Sequence, residues 1–177
     1  MPDLKEFSLE QLALYIGNHL AKSNLEIILV GGACVSIYSH NKYESFDLDL
    51  ICYESGSKIK SALNEIGFVF NQNKTFTHKD CEYFIEFVTP PITVGSEVVT
   101  KFNSIKSNFG AIKLLRPEDC IKDRLAAFFY WRDLQSLDQA LMVAKDQDVD
   151  LDEIKEWAIS ENQIQAYENF RLKLQAL

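Results

Sequence analysis

The most informative absences in this chain concern membranes, export and cysteine motifs. Its 177 residues contain no apolar run long enough to span a bilayer, no internal repeat and no low-complexity segment. Residues 1–6 lack the basic and apolar pattern of a secretory signal peptide. The four cysteines stand far apart without a C-x-x-C pair, and Cys34 and Cys52 fall in apolar segments typical of small buried thiols. We therefore expect a cytoplasmic protein with reduced cysteines and no membrane partner.

Histidines are also few, and positive charge is concentrated in one segment. The three histidines show no metal-ligand spacing, and no Ser-His or Cys-His arrangement predicts a covalent mechanism. A net charge of −8 argues against broad, non-specific nucleic-acid binding. Residues 101–132 nevertheless carry seven basic against three acidic side chains. This basic segment suits a local polyanion such as a nucleoside triphosphate or one RNA end, with ordinary solvated surface as the alternative.

Two carboxylates stand on alternate positions of an apolar strand. The segment Phe46–Cys52 reads F-D-L-D-L-I-C, and residues two apart on a strand point to the same side. Asp47 and Asp49 are therefore expected to project together, with Phe46, Leu48 and Leu50 on the opposite face. Two adjacent carboxylates repel each other unless a cation lies between them. A hard, oxygen-liganded ion such as Mg²⁺ is the natural partner.

A glycine turn precedes that strand. Residues 25–30 are predicted as a buried strand, and the chain then turns through Gly31 and Gly32 into a helix that begins near Ala33. Glycines allow a tight turn and a close approach of backbone to ligand. The N–H groups and dipole at a helix start favour an anion. The turn therefore predicts a phosphate-binding element.

A strand, a G-G turn, a helix and then a strand with D-x-D resemble the core of the DNA polymerase β-like nucleotidyltransferase superfamily. The form G-G-A followed by Ser45-x-Asp47-x-Asp49 looks most like the AbiEii-type and minimal bacterial nucleotidyltransferases. The resemblance implies a third carboxylate on a later strand, and Glu86 in the predicted strand 82–88 takes that place. Relatives more often carry an aspartate there. The alternative for Glu86 is a charge on an edge strand. Ser45 is expected in a phosphate-binding or metal-shell role.

The segment 118–138 is similar to the C-terminal helices of AbiEii-type nucleotidyltransferases. In those relatives a lysine on the first of these helices faces the nucleotide phosphates, and an R-D pair follows one helix length later. Lys122 matches that lysine, and Arg132 with Asp133 matches the pair. Asp133 has a second interpretation as the N-cap of a helix that starts at residue 134. The resemblance covers about residues 25–145.

The expected fold class is α+β, with a small mixed sheet flanked by helices and followed by a C-terminal helical segment. We expect a nucleotidyltransferase-like core over residues 1–115 and a helical segment over residues 116–177 that closes the cleft. Pro117 and the two acids after it give a typical helix start. Ser8 and Gln11 predict a capping box at the start of a helix that runs to about residue 22.

These features together predict a Mg²⁺-dependent nucleotidyltransferase that moves a nucleoside monophosphate from an NTP such as ATP to an acceptor hydroxyl. Asp47, Asp49 and Glu86 are the expected metal ligands and catalytic residues. Gly31, Gly32, Ala33, Ser45 and Lys122 are the expected nucleotide-binding residues. The acceptor stays open between an RNA end, a protein and a small molecule. The alternative is a catalytically inactive nucleotide-binding module, or one half of a toxin–antitoxin pair with a cognate partner.

Overall fold

The computed structural model describes residues 2–177. A short 3₁₀ turn at Leu4–Glu6 precedes the first helix. The helices are α1 Leu9–Lys22, α2 Gly31–Tyr38, α3 Gly56–Glu65, α4 Pro117–Trp131, α5 Leu134–Asp146, α6 Leu151–Ser160 and α7 Ile164–Gln175. The strands are β1 Ile27–Val30, β2 Asp47–Cys52, β3 Val69–Phe70, β4 Thr75–Thr77, β5 Phe84–Val88, β6 Thr93–Val94, β7 Glu97–Val98, β8 Phe102–Ser107 and β9 Gly110–Leu115.

Seven of the strands form one mixed sheet in the order β3-β4-β5-β2-β1-β9-β8. The central strand β2 is antiparallel to β1 and parallel to β5. β1 is in turn parallel to β9. A parallel neighbour requires a crossover, and between β2 and β5 the chain supplies α3 and the short strands β3 and β4. The expected α+β class with a mixed sheet flanked by helices is confirmed.

The chain divides into two compact units. The first consists of residues up to Ala33, Glu44–Pro90 and Phe102–Leu114, and contains the seven-stranded sheet. The second consists of Cys34–Tyr43, Pro91–Lys101 and Leu115–Leu177. The sequence predicts a boundary near residue 115. It does not predict that Cys34–Tyr43 and Pro91–Lys101 belong to the helical unit.

The core of the sheet unit is apolar and continuous. α1 begins at the predicted capping box, in which Gln11 N donates to Ser8 Oγ and Ser8 N donates to Gln11 Oε1. Its buried leucines and isoleucine recur at helical spacing, which produces one apolar face. Beneath it, Leu29, Leu48 and Leu50 are fully buried in the central strands. The D-x-D segment is therefore built on a strand whose alternate residues are fixed in the core.

The helical unit has its own core. Trp157 of α6 stacks on Phe129 of α4, with ring centroids 5.5 Å apart, and its Nε1 donates to the carbonyl of Val94 at 3.2 Å. Tyr167 and Phe170 of α7 are fully buried. The small β6–β7 hairpin belongs to this unit, and the hydrogen bond from the Trp157 indole connects it to α6. None of the described helices combines the length and apolar character that crossing a bilayer would need.

Several sequence predictions need correction. Phe46 does not pack on an apolar face: it precedes β2 and is 59% exposed. β5 begins at Phe84, two residues later than predicted, so Glu82 lies outside the strand. Each error lies at an element end, where pairing partners rather than local residue type decide the boundary.

Candidate active site on the sheet unit

The two aspartates and Glu86 lie on one face of the seven-stranded sheet. β2 and β5 pair in parallel with Asp49 opposite Glu86, and Asp47 opposite Phe84. Directly paired residues point to the same side, and so do residues two apart on one strand. Neighbouring strands lie about 4.8 Å apart. The register therefore brings Glu86 beside Asp49 and leaves Asp47 one step along the same face.

This face is more open than the sequence suggests. Asp47 and Asp49 are half-buried, and Glu86 is exposed, whereas Leu48, Leu50 and Ile85 between them are fully buried. β5 lies between β4 and β2, so the alternative of a charge on an edge strand does not apply to Glu86. Alternation explains the difference, because the apolar neighbours of Glu86 face the core and Glu86 faces away. The carboxylate is thus accessible to a ligand from solvent.

Gly31 is required by its conformation and by its neighbour. Its φ is +67°, in the left-handed region that favours glycine. A Cβ built on Gly31 would overlap the carboxylate of Asp49, with Asp49 Oδ2 as the nearest atom. α2 therefore begins directly against Asp49, where the positive end of the helix dipole favours negative charge. Gly32 and Ala33 follow in the first turn, and Ala33 is fully buried.

Ser45 holds one of the aspartates. Its Oγ donates to Asp47 Oδ1 at 2.5 Å, and the side chain is 5% exposed. The short bond orients the Asp47 carboxylate from the start of β2. The nucleotide-binding role of Ser45 stays a prediction, and the contact given by the structure is a positioning one.

The three carboxylates supply the type of donor atom that a hard divalent cation prefers, but the spacing of their side chains in this structure does not form an ion site. Carboxylate oxygens are the ligands that Mg²⁺ prefers, and Asp47, Asp49 and Glu86 offer six of them on one face. Over residues 2–177 no three His, Cys, Asp or Glu side chains are close enough together to hold an ion. The Asp49 carboxylate packs so closely against Gly31 that a Cβ there would overlap it, which places the carboxylate directly at the start of α2. The Mg²⁺ role of the three residues stays a prediction.

Lys122 lies in the helical unit, among carboxylates. Its side chain is 2% exposed, and Nζ donates to Glu153 at 2.8 Å and to Glu97 at 3.4 Å, with Asp119 at 3.7 Å. Burial lowers the pKa of Lys122, but the carboxylates outweigh it, so the net shift is upward and the ammonium stays charged. Its role toward nucleotide phosphates stays a prediction, and any phosphate would compete with these anions.

Arg116 completes this ion cluster, in which Asp119 and Lys122 are buried and the other members are partly exposed. Its guanidinium bonds Asp119 at 2.8 Å and Glu153 at 2.6 Å. The hydrogen bond from Arg116 is the largest cause that lowers the pKa of Glu153 to about 2. The residues 116, 119 and 122 are three apart on one helix face, a spacing visible in the sequence. Glu97 and Glu153 carry no such signal, because they arrive from the β6–β7 hairpin and α6.

A polar cavity of about 380 Å³ adjoins the ion cluster. Trp157 and Ser160 supply part of its wall, and Lys101 and Glu156 add two charges.

Asp133 acts as the N-cap of α5: Gln135 N and Ser136 N both donate to its Oδ1. The hydrogen bond from Ser136 is the largest cause that lowers the pKa of Asp133. The N-cap interpretation of Asp133 is confirmed.

Comparison with solved structures places the fold. An antigenic nucleotidyltransferase-like protein from Paracoccidioides brasiliensis superimposes with a TM-score of 0.62 at 14% identity, over 95% of this chain and 92% of that one. The antibiotic-resistance factor ANT(2'')-Ia gives a TM-score of 0.46 at 11% identity, over 95% and 91% of the two chains. No protein-family model and no curated protein sequence matches the chain. The chain therefore has a nucleotidyltransferase-like fold, as its sequence motifs predict.

Proposed function

We propose that this protein is a Mg²⁺-dependent nucleotidyltransferase that transfers a nucleoside monophosphate from an NTP, such as ATP, to an acceptor hydroxyl. The observation that carries the proposal is the β2–β5 register, which sets Glu86 beside Asp49 on the face that also carries Asp47. The glycine start of α2 lies against the same Asp49. A structural role does not require three carboxylates on an accessible sheet face beside a helix start.

Asp47, Asp49 and Glu86 would hold the metal in this proposal. When bound, Mg²⁺ supplies neutralisation of the phosphate charge and lowers the pKa of a coordinated hydroxyl. Ser45 keeps Asp47 in one orientation, so that less side-chain freedom is lost when a ligand binds. The backbone N–H groups at the start of α2, from Gly31 to Ala33, would meet phosphate oxygens. Any one of the three carboxylates could accept the proton of the acceptor hydroxyl.

Lys122 has two candidate roles. As a phosphate ligand it would contribute a point charge, and binding would replace at least its bond to Glu153. As a structural cation it neutralises Asp119, Glu97 and Glu153 without touching a substrate. Affinity for ATP and for adenosine separates the two. If Lys122 binds phosphate, Lys122→Ala lowers the affinity for ATP but not for adenosine. If Lys122 is only a structural cation, the ratio of the two affinities does not change.

The direct test is transfer of label from α-³²P nucleotides to total cellular RNA and protein in the presence of Mg²⁺. We expect labelled acceptor with the wild-type chain and none with Asp49→Asn, which keeps the shape of the side chain. Asp80→Asn is the matched control, because Asp80 belongs to the same unit and pairs with Lys5 at 3.6 Å. Loss of label in both variants, or in neither, would contradict the assignment of Asp49.

The alternative is a nucleotide-binding module without turnover, acting as a sensor or within a toxin–antitoxin pair. Two observations support it. Carboxylates already neutralise Lys122. Glu86 is exposed, and its side chain is one methylene longer than the aspartate that the resembling family more often has at this place. Such a module would gain thermal stability with NTP and transfer no label to any acceptor. The same assay therefore distinguishes the two functions.

A further inference from the structure

An aromatic cavity lies on the opposite side of the sheet from the carboxylates. Phe70 of β3, Phe76 of β4 and Phe87 of β5 stand side by side, with ring centroids 4.9 Å apart for the first pair and 5.8 Å for the second. Phe87 follows Glu86 on β5, so its side chain points to the other face. Together with Ile59 of α3 the rings line a cavity of about 440 Å³.

The cavity has a closed floor and an open mouth. Phe76 and Ile59 are 4% and 5% exposed, whereas Phe70 is 39% exposed. The accessible ring of Phe70 therefore lies at the mouth of the cavity, where it can contact a ligand that enters from solvent. The volume lies within the range of about 300–1,000 Å³ that is typical of small-molecule sites. The volume and the aromatic lining therefore suit a small organic molecule that carries a ring.

The charge at the mouth is positive in an otherwise acidic protein. Lys60 and Lys74 line the cavity, and no acidic residue does so in the described part of the chain. Lys60 Nζ lies 5.5 Å from the centroid of the Phe70 ring. The nearby Lys58 differs, because it is paired with Glu54 at 2.6 Å. Two cations at an apolar mouth complement one anionic head group.

Lys74 is held there at some cost in backbone energy. Its φ is +62°, in a region that glycine and asparagine enter far more readily than lysine. The turn that contains it is fixed by Asn71, whose Oδ1 accepts from Asn73 N and Thr75 N. A glycine at this position would make the turn less strained but would remove the charge from the cavity mouth.

We propose that this cavity binds an aromatic carboxylate. The ring of the ligand would pack against Phe70, Phe76 and Phe87 in stacked or edge-on contact. Its carboxylate would meet Lys60 and Lys74. The site is separate from the proposed nucleotidyl-transfer site, because it lies on the other face of the sheet. A bound ligand would contact Phe87 and therefore the strand that carries Glu86.

The test is a titration of the ¹⁵N-labelled wild-type protein with 2-naphthoate, followed by amide chemical shifts. We expect saturable shifts confined to α3 and to β3–β5. The double variant Lys60→Gln with Lys74→Gln is expected to bind roughly a hundredfold more weakly, about tenfold for each of the two charge-assisted contacts that it removes. The matched control, Lys58→Gln with Lys79→Gln, removes the same charge from lysines outside the cavity and should change affinity less than about twofold.

Four comparisons can overturn the proposal. Equal affinity of the two double variants would remove the charge complementarity on which it rests. Octanoate binding as tightly as 2-naphthoate would show that the rings do not select an aromatic ligand. Concentration-dependent dimerisation in sedimentation velocity that disappears in Phe70→Ala would assign this face to a second copy of the chain. A neutral probe, 2-naphthalenemethanol, is expected to bind roughly a hundredfold more weakly than 2-naphthoate, and equal binding of the two would contradict the role of the lysines.

Discussion

The buried ion pairs of the helical unit and the candidate metal-binding carboxylates of the sheet unit differ in whether cations neutralise them. In the helical unit Asp119 is buried and Glu153 half-buried, and both lie within ion-pair distance of Arg116 and Lys122. In the sheet unit, over the described residues, no lysine or arginine lies within ion-pair distance of Asp47 or Glu86. A buried carboxylate must be paired with a cation in the folded protein, whereas a solvent-accessible carboxylate is stable in water and can bind a ligand.

The difference separates residues that maintain the fold from residues available for chemistry. The pKa of Glu153 is strongly lowered, with the hydrogen bond from Arg116 as the largest cause. A shifted pKa does not by itself identify a functional site, because structural ion pairs also shift pKa values. Accessibility and register are the better guide in this chain. They select Asp47, Asp49 and Glu86 rather than the more strongly perturbed cluster.

The largest expected effect is on nucleotidyl transfer. Asp47→Asn combined with Asp49→Asn should reduce transfer by about a thousandfold, because removing groups that stabilise transition-state charge has effects of that order. The free energy of unfolding should stay the same or rise slightly, since repulsion between adjacent carboxylates is relieved. Transfer assays and urea unfolding measure the two effects. Unfolding of the double variant would assign the aspartates a structural role.

Lys122→Ala is expected to lower the stability of the folded protein. Removing one partner of a buried ion pair leaves uncompensated charge and is expected to cost about 3 kcal/mol in free energy of unfolding. The control is Lys113→Ala, whose ion pair with Glu26 is half-exposed, with 47% of the lysine side chain in solvent. Its expected cost is only a few tenths of a kcal/mol. Similar losses in the two variants would mean that Lys122 is not the centre of the cluster.

Gly31→Ala tests the contact between the helix start and Asp49. The added methyl group would overlap the carboxylate, and the residue would have to adopt a positive φ. We expect a loss of about 2 kcal/mol in free energy of unfolding. Gly56→Ala is the matched control, because its Cβ would meet open space at the start of α3. There we expect no loss and a gain of up to about 1 kcal/mol.

The smallest effect concerns acid. The pKa of Glu153 falls from 4.5 to about 2 on folding, so its carboxylate stabilises the folded state above pH 4.5. That contribution is lost as the pH falls through the window from 4.5 to about 2. Glu153→Gln should therefore lose less stability than the wild type between pH 5 and pH 3, measured by urea unfolding. Parallel curves for the two proteins would show that Glu153 titrates normally.

Much of the fold and part of the candidate site could be predicted from local patterns. The alternation in F-D-L-D-L fixes Asp47 and Asp49 on one face, and the burial of Leu48 and Leu50 agrees with it. The N-caps Ser8 and Asp133 were predictable because a cap bonds residues two or three positions away. The prediction for Phe46 was wrong because alternation shows which residues share a face of a strand but not where the elements packed on that face end.

The sequence by itself determined the order of the elements, the shared face of the two aspartates and the glycine at the start of α2, because each depends on residues a few positions apart. The tertiary structure decided which strand lies beside β2, and so that Glu86 pairs with Asp49 across 37 positions of the chain. It also decided that Lys122 bonds Glu97 and Glu153, and that three phenylalanines enclose a cavity with two lysines at its mouth. These contacts join distant segments, and only the packing of the whole chain selects among their many possible partners.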